Sequence, residues 1–250
     1  MTLDTLFAVI ADIHGNADAL AAVLDDIDRL GIRTILNLGD HLSGPLAAAE
    51  TADMLMRREM TSIRGNHDRW LLEQEPAQMG PSDRAAFEEL SERHLDWLRG
   101  LPATSRPAVD VFLCHGTPDS DTTYWLETVA PDGTVHGRPL REIEGMASVS
   151  ASLLLCGHTH LPRAVRLGDG RLVVNPGSVG LPGFDDDAPV PHVLQAGNTH
   201  ASYAVVAREP RGWDVTFRLV PYDTQRMVAM ARSAGRPEWA RVLETGWMAP

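Results

Sequence analysis

The chain is poor in cysteine, in basic residues and in long apolar runs, and each shortage excludes something. Its two cysteines, Cys114 and Cys156, are too few for a disulfide-framed secreted scaffold, so a reducing, cytoplasmic setting is expected. No apolar stretch approaches the length needed to cross a bilayer. The opening MTLDTLFAVIAD has no basic segment ahead of its short apolar run, so neither a leader nor a membrane association is expected. Lys plus Arg number 22 against 34 Asp plus Glu, a formal net charge of −12. A field of that sign repels polyanions, which disfavours broad contact with duplex nucleic acid or an anionic membrane face. A small phosphorylated ligand is not disfavoured in the same way, because a bound metal reverses the field locally. There is no internal repeat and no low-complexity tract.

What is present is a strand and helix alternation in 250 residues, 44% of them hydrophobic. Residues 6–11 read as a buried strand. Asn16 can cap a helix with the apolar stripe Leu20, Val23, Leu24, Ile27 and Leu30, ended by Gly31. Residues 34–38 form a second strand, a helix starts near Pro45, and residues 61–64 form a third strand. This β-α-β-α-β order implies parallel strands with right-handed crossovers. Residues 70–107 read as a helical insertion, with Ser82 capping a helix that carries Phe87, Leu90, His94, Trp97 and Leu98 on one face. Strands resume at 109–114, 153–156 and 172–174. Segments 203–208 and 213–220 read as a hairpin turning at Pro210-Arg211-Gly212, and helices beginning near Asp223 and Pro237 complete a C-terminal segment, 203–250. One domain over 1–250 is expected.

The strand ends carry the chemistry. They read Asp12-Ile13-His14-Gly15-Asn16, Gly39-Asp40-His41, Gly65-Asn66-His67-Asp68, His115-Gly116 and Gly157-His158-Thr159-His160. In an open α/β sheet, ligands bind where the carboxyl ends of strands converge. Residues two apart on an extended segment point the same way, so Asp12 and His14 can reach one ion, as can His158 and His160. The donors are oxygen and imidazole nitrogen without paired thiolates, which argues against a structural zinc site. They suit Mn²⁺, Fe, Ni²⁺ or Zn²⁺ in an open catalytic site. So many donors exceed the need of one ion and fit two, about 3.5–4 Å apart, with a shared carboxylate.

These motifs, in this order, resemble the calcineurin-like metallophosphoesterase family: D-x-H, G-D, G-N-H-D, H and G-H-x-H, over Asp12 to Ser178. Asn175 to Gly180, NPGSVG, further resembles its small bacterial and archaeal phosphodiesterase-like branch. The resemblance implies a four-layer α-β-β-α sandwich with two mixed sheets. It implies that Asp12, His14 and His160 hold one divalent ion, Mn²⁺ first among the options. Asn66, His115 and His158 then hold a second, and Asp40 bridges. His67 stands by the phosphoryl group as acid or charge stabiliser, with Asp68 or a backbone carbonyl orienting it. The implied reaction is hydrolysis of a small phosphodiester or phosphomonoester, a nucleotide being one option, by in-line attack of a metal-bridging hydroxide. Asn16 and Arg64 are candidate substrate-binding residues, and Arg69 is a flanking cation. Residues 70–107 and 118–127 are the expected pocket wall, with Tyr124 and Trp125 as candidate stacking groups.

Singly, each motif has a plainer reading: Asp12 or Asn16 as a helix cap, Gly39-Asp40 and Gly65-Asn66-His67-Asp68 as turns, His115 as a packed histidine. Together they do not, since unrelated turns have no reason to put ligand types at five successive strand ends. The second motif carries Ser43 where phosphoprotein phosphatases carry Asp, which argues against that branch. No Arg follows Asn175-Pro176-Gly177-Ser178 within the next few residues. A non-catalytic scaffold on the same fold, or a nucleotide or phosphate sensor, is the alternative; the intact donor set and His67 speak against the scaffold. Oligomeric state is left open, a homodimer included.

Overall fold

The structure, a computed structural model, describes residues 3–248. The first half holds β1 (Leu6–Ile10), α1 (Ala17–Arg29), β2 (Ile35–Asn37), α2 (Ala48–Arg57) and β3 (Thr61–Ser62), then α3 (Asn66–Glu73), α4 (Pro81–Glu89) and α5 (Glu92–Gly100). There follow β4 (Ser105–Ala108), β5 (Val111–Leu113), β6 (Glu127–Val129), β7 (Val135–Gly137), α6 (Leu140–Met146), β8 (Leu153–Leu155), β9 (Arg163–Arg166) and β10 (Leu172–Asn175). The chain continues with β11 (Gly183–Asp186), β12 (His192–Gln195), β13 (Ala201–Glu209), β14 (Gly212–Val220), α7 (Gln225–Ser233) and α8 (Pro237–Thr245).

Two mixed five-stranded sheets face one another. The first runs β14-β13-β1-β2-β3 and the second β4-β5-β8-β10-β9. The strands β1, β2 and β3 are mutually parallel, as are β5, β8 and β10, with antiparallel strands outside them. Both faces of β1 are apolar because both are covered. Phe7, Val9 and Ala11 meet Leu113, Leu153, Leu155 and Val174 between the sheets. Ala8 and Ile10 turn outward to Leu20, Val23 and Ile27 of α1. Beyond the second sheet, Leu154 and Val173 pack on Trp125 and Ile143 of the α6 region. The result is the expected α-β-β-α sandwich, with the parallel carboxyl ends of both sheets at one edge.

Several local expectations change. The stripe from Phe87 to Leu98 is carried by two helices, because the chain goes extended at Leu90 and Ser91 starts α5, its N–H donating to His94 Nδ1 at 3.2 Å. Gly80, with Pro81 after it, precedes α4, so Ser82 is inside the helix rather than its cap. Residues 109 and 110 form the turn between β4 and β5, so the strand expected over 109–114 shortens to Val111–Leu113, and β4 before it was not expected. Two small hairpins, β6 with β7 and β11 with β12, were not expected. Trp125 is 2% exposed, and its indole N–H donates to Ile143 O; it is a core residue, not a stacking surface.

Candidate active site

Each parallel strand of the two sheets ends in a polar turn, and these turns meet. Among the described residues, the non-glycine residues with positive φ are Asp12, His14, Asp40, His158 and His160. Left-handed backbone costs about 1–3 kcal/mol per such residue, and here it falls on side chains aimed at one point. The donor atoms of Asp12, His14 and His160 lie within 4.8 Å of one another, as do those of Asp40, His115 and His158. Asp40 Oδ2 stands 3.1 Å from His115 Nε2 and 4.0 Å from His14 Nε2, so that it lies between the two groups.

Backbone carbonyls set which imidazole nitrogen faces the centre. The Nδ1–H groups of His14, His115 and His160 donate to Ser43 O (2.9 Å), Leu38 O (2.8 Å) and Leu181 O (2.7 Å). Each ring therefore turns its Nε2 atom inward, where the neutral imidazole offers a lone pair. In His158 it is Nε2–H that donates, to Thr122 O at 3.1 Å, which leaves Nδ1 free. The two histidines of Gly157-His158-Thr159-His160 thus present opposite ring nitrogens, and this aims them at different ions although they are two residues apart.

The buried donors fit metal ions on physical grounds. His14 and His160 bring their Nε2 atoms to 3.2 Å, lone pairs converging. Asn66 Oδ1 and His115 Nε2 are buried without a hydrogen bond among the described residues. Burial, aided by Asp40, pushes the Asp12 carboxyl up to about 8. Burial likewise takes His14 down to about 4 and His158 to about 3. Burial also acts to raise Asp40, but the neighbouring His115 and His67 outweigh it and hold the carboxyl well below its usual range. A cluster of this make-up is costly as bare protein and is stabilised by cations at its centre.

Two glycines make room. A Cβ on Gly65 would lie 2.1 Å from Asp40 Oδ1, and one on Gly157 would lie 3.0 Å from Asp12 Oδ2. No side chain fits at Gly65 without displacing that carboxylate.

The residues around the cluster depart from expectation at three points. Asp68 does not orient His67. It accepts from Gly65 N–H, Asp40 N–H, His41 N–H and His41 Nδ1–H, at 2.9, 2.8, 3.1 and 2.7 Å, and so fixes the turn that carries Asp40. The carboxylate against His67 is Asp83 of α4, whose Oδ1 is 2.7 Å from His67 Nδ1, with Ser43 Oγ 3.2 Å from the same nitrogen. Burial lowers His67, but Asp40 and then Asp83 outweigh it and raise the imidazole to about 9. Asn16 does not face a substrate: it is 0% exposed, caps α1 by accepting from Ala19 N–H, and donates to Gly180 O and Tyr222 Oη. Arg64 lies outside the cavity, and Arg69 is held by Asp121 and Glu73. Asp83 was missed because Pro81-Ser82-Asp83 reads as an ordinary helix start.

A cavity of about 310 Å³ opens over the cluster. Its wall includes His67, Trp70 and Ser82 from the helical segment and Thr122 from the loop before β6. Leu181, Phe184, Asp185 and Asp186 near β11, and Arg236 and Trp239 at α8, complete it. Tyr124 is turned away, its hydroxyl 3.1 Å from both Asp186 Oδ2 and His192 Nε2.

Two adjoining triads at the edge of such a sandwich define a binuclear, metal-dependent hydrolase. The chain belongs to the calcineurin-like phosphoesterase superfamily, whose domain model matches residues 6–203. An uncharacterised protein of Methanocaldococcus jannaschii is 24% identical over 257 residues, 94% of this chain and 95% of that one. The crystal structure of a metallophosphoesterase from Sphaerobacter thermophilus is similar at 25% identity and a TM-score of 0.75, covering 97% of this chain and 99% of its own. That of a hypothetical protein from Pyrococcus horikoshii OT3 shares the fold at 22% identity and a TM-score of 0.77, covering 98% and 99%. Among the described residues, no helix is long and apolar enough to cross a membrane.

Proposed function

We propose that the chain hydrolyses a small phosphodiester or phosphomonoester, nucleotides included, with two divalent ions of which Mn²⁺ is the first choice. The observation that carries this is the pair of donor triads, with Asp40 of the second reaching toward His14 of the first. Asp12, His14 and His160 would hold one ion, and His115, His158 and Asn66 the other. The donor set of carboxylate, amide oxygen and imidazole suits Mn²⁺, Fe, Ni²⁺ or Zn²⁺. When bound, the ions supply a nucleophile at neutral pH and offset charge on the phosphoryl oxygens.

The remaining work falls to the protein. Asp40 and Asp83 both favour the protonated form of His67. With Nδ1–H tied to Asp83, its Nε2–H is free to donate to a phosphoryl or leaving oxygen at the cavity floor. Asp68 acts at one remove, by holding the backbone of Asp40 and His41. Trp70, Phe184 and Trp239 give the cavity apolar walls beside its polar floor. The buried free thiols Cys114 and Cys156 suit a reducing cytoplasm.

The test is hydrolysis of bis-p-nitrophenyl phosphate and p-nitrophenyl phosphate by metal-stripped protein with Mn²⁺, Ni²⁺, Zn²⁺ or Mg²⁺ returned. Metal-dependent release that His158→Ala abolishes is the expected result, and the faster ester assigns diester or monoester chemistry. Binding of two ions with no turnover under any metal would instead favour a phosphate sensor.

A further inference from the structure

The donor cluster accounts for the ions but not for how a substrate anion is held beyond them. The sequence contains no lysine, so every permanent side-chain cation is an arginine. Among the described residues lining the cavity, that cation is Arg236. Two carboxylates, Asp185 and Asp186, share the wall and oppose any incoming anion, which makes a fixed positive charge there more necessary.

Arg236 is held in place rather than free to sweep solvent. It precedes the first turn of α8. Its Nε donates to Glu238 Oε1 and its Nη1 to Ser82 Oγ at 3.2 Å, while its guanidinium carbon lies 5.7 Å from the Trp239 ring centroid. Nη2 makes no hydrogen bond among the described residues. Trp239 in turn is 6% exposed and packs with Ala17, Leu46 and Leu243, its ring 6.1 Å from that of His14. The helix that carries Arg236 is thereby docked against the turn that carries one of the metal-site histidines. A planar fork with one edge tied back and one nitrogen unpaired is suited to a phosphate oxygen. The segment lies beyond residue 203, where the match to the superfamily ends, so this recognition element belongs to the C-terminal part of the chain.

We infer that Arg236 binds a phosphoryl oxygen of the substrate and sets affinity for it; the inference rests on the phosphoesterase reading above. The alternative role, a latch joining α8 to α4 through Ser82, makes different predictions. The experiment is calorimetric binding of inorganic phosphate to the Mn²⁺-loaded protein, with ion stoichiometry measured on the same samples. Arg236→Ala should weaken phosphate about tenfold or more, the scale for one charge-assisted hydrogen bond, with ion stoichiometry unchanged. Arg236→Lys should lose less. Glu238→Gln, which removes the competing carboxylate, should leave phosphate binding equal or tighter. The inference is overturned if Arg236→Ala binds phosphate within twofold of wild type, if wild type binds none, or if Glu238→Gln loses as much as Arg236→Ala, the signature of a latch. Arg236-dependent phosphate binding by a protein that hydrolyses no ester would uphold the inference and overturn the hydrolase reading.

Discussion

The floor and the wall of the cavity are built by different rules. The floor is made at strand ends, where five donors sit on left-handed backbone and are clamped by carbonyls and by glycines such as Gly65 and Gly157. The wall comes from segments far apart in the chain, namely α3 and α4, the turn near β11, and α8. A floor so strained is over-determined by its surroundings, and a change there should abolish function. A wall made from helix faces and a hairpin should tolerate change, with effects on affinity, on pH dependence and on which substrate fits.

Substitutions can break that contrast. The largest effect is expected from Asp40→Asn, which removes the carboxylate lying between the two groups. Turnover should fall on the order of 10³-fold, the scale for loss of a preorganised charge stabiliser, and Mn²⁺ binding should weaken in calorimetry. Retained turnover would remove the distinction between floor and wall.

Asp83→Asn comes next, with kcat lower by about 10²-fold and a shifted pH profile. His67 is raised, so the protonated form is present at low pH and is lost as pH rises through its pKa. Ions beside Asp40 offset that carboxylate's pull, so the alkaline limb of the loaded enzyme should lie below about 9. Asp83→Asn should move it lower still, because one of the groups raising His67 is gone; an unmoved limb would show that Asp83 does not act through His67.

Gly65→Ala should weaken Mn²⁺ binding about 10- to 100-fold, comparable to losing a group that orients a ligand, since the added Cβ must displace Asp40. Unchanged metal affinity would show that the floor is not as tightly determined as its geometry implies.

The smallest effect is expected at Asp26, outside both regions. Its carboxylate accepts from Arg218 Nε and Nη2 and from Tyr203 Oη. Chiefly through Arg218, its pKa is lowered, so its stabilisation is complete above the ordinary Asp range and is lost as pH falls through the depressed value. Asp26→Asn should cost about 1–2 kcal/mol at neutral pH and flatten the acid limb of a thermal-melt series, with turnover unaffected. A change in turnover would mean that frame and site are coupled.

The same contrast explains what was legible. A strand end in an α/β sheet has a fixed place, so Asp12, Asp40, Asn66, His115 and the pair His158 and His160 converge wherever the strands are recognised. Side-chain periodicity also shows both apolar faces of β1 and the long β13–β14 hairpin. Asp83 and Arg236 carry no such positional signal. Each reaches the site through the packing of a whole helix, and each stands at a helix start, where an ordinary capping or ion-pair reading is sufficient. The role of Asp68 is hidden in the sequence for a related reason. Adjacency to His67 suggested a pair, but in the first turn of α3 successive side chains point about 100° apart, so Asp68 reaches back to Gly65 and Asp40 while His67 meets Asp83. The break between α4 and α5 is masked by one apolar stripe that continues across it, although Ser91 followed by His94 signals a new helix start. Tyr124 lies on the expected loop, but its hydroxyl is taken up by Asp186 and His192.

The central claim is two ions held at adjoining triads and shared at Asp40. It is tested most directly by calorimetric titration of the metal-stripped protein with Mn²⁺, with hydrolysis of bis-p-nitrophenyl phosphate and p-nitrophenyl phosphate followed across the same additions. Two equivalents per chain are predicted, with turnover complete only as the second binds. A single equivalent that already gives full turnover, or turnover without any ion, would contradict it.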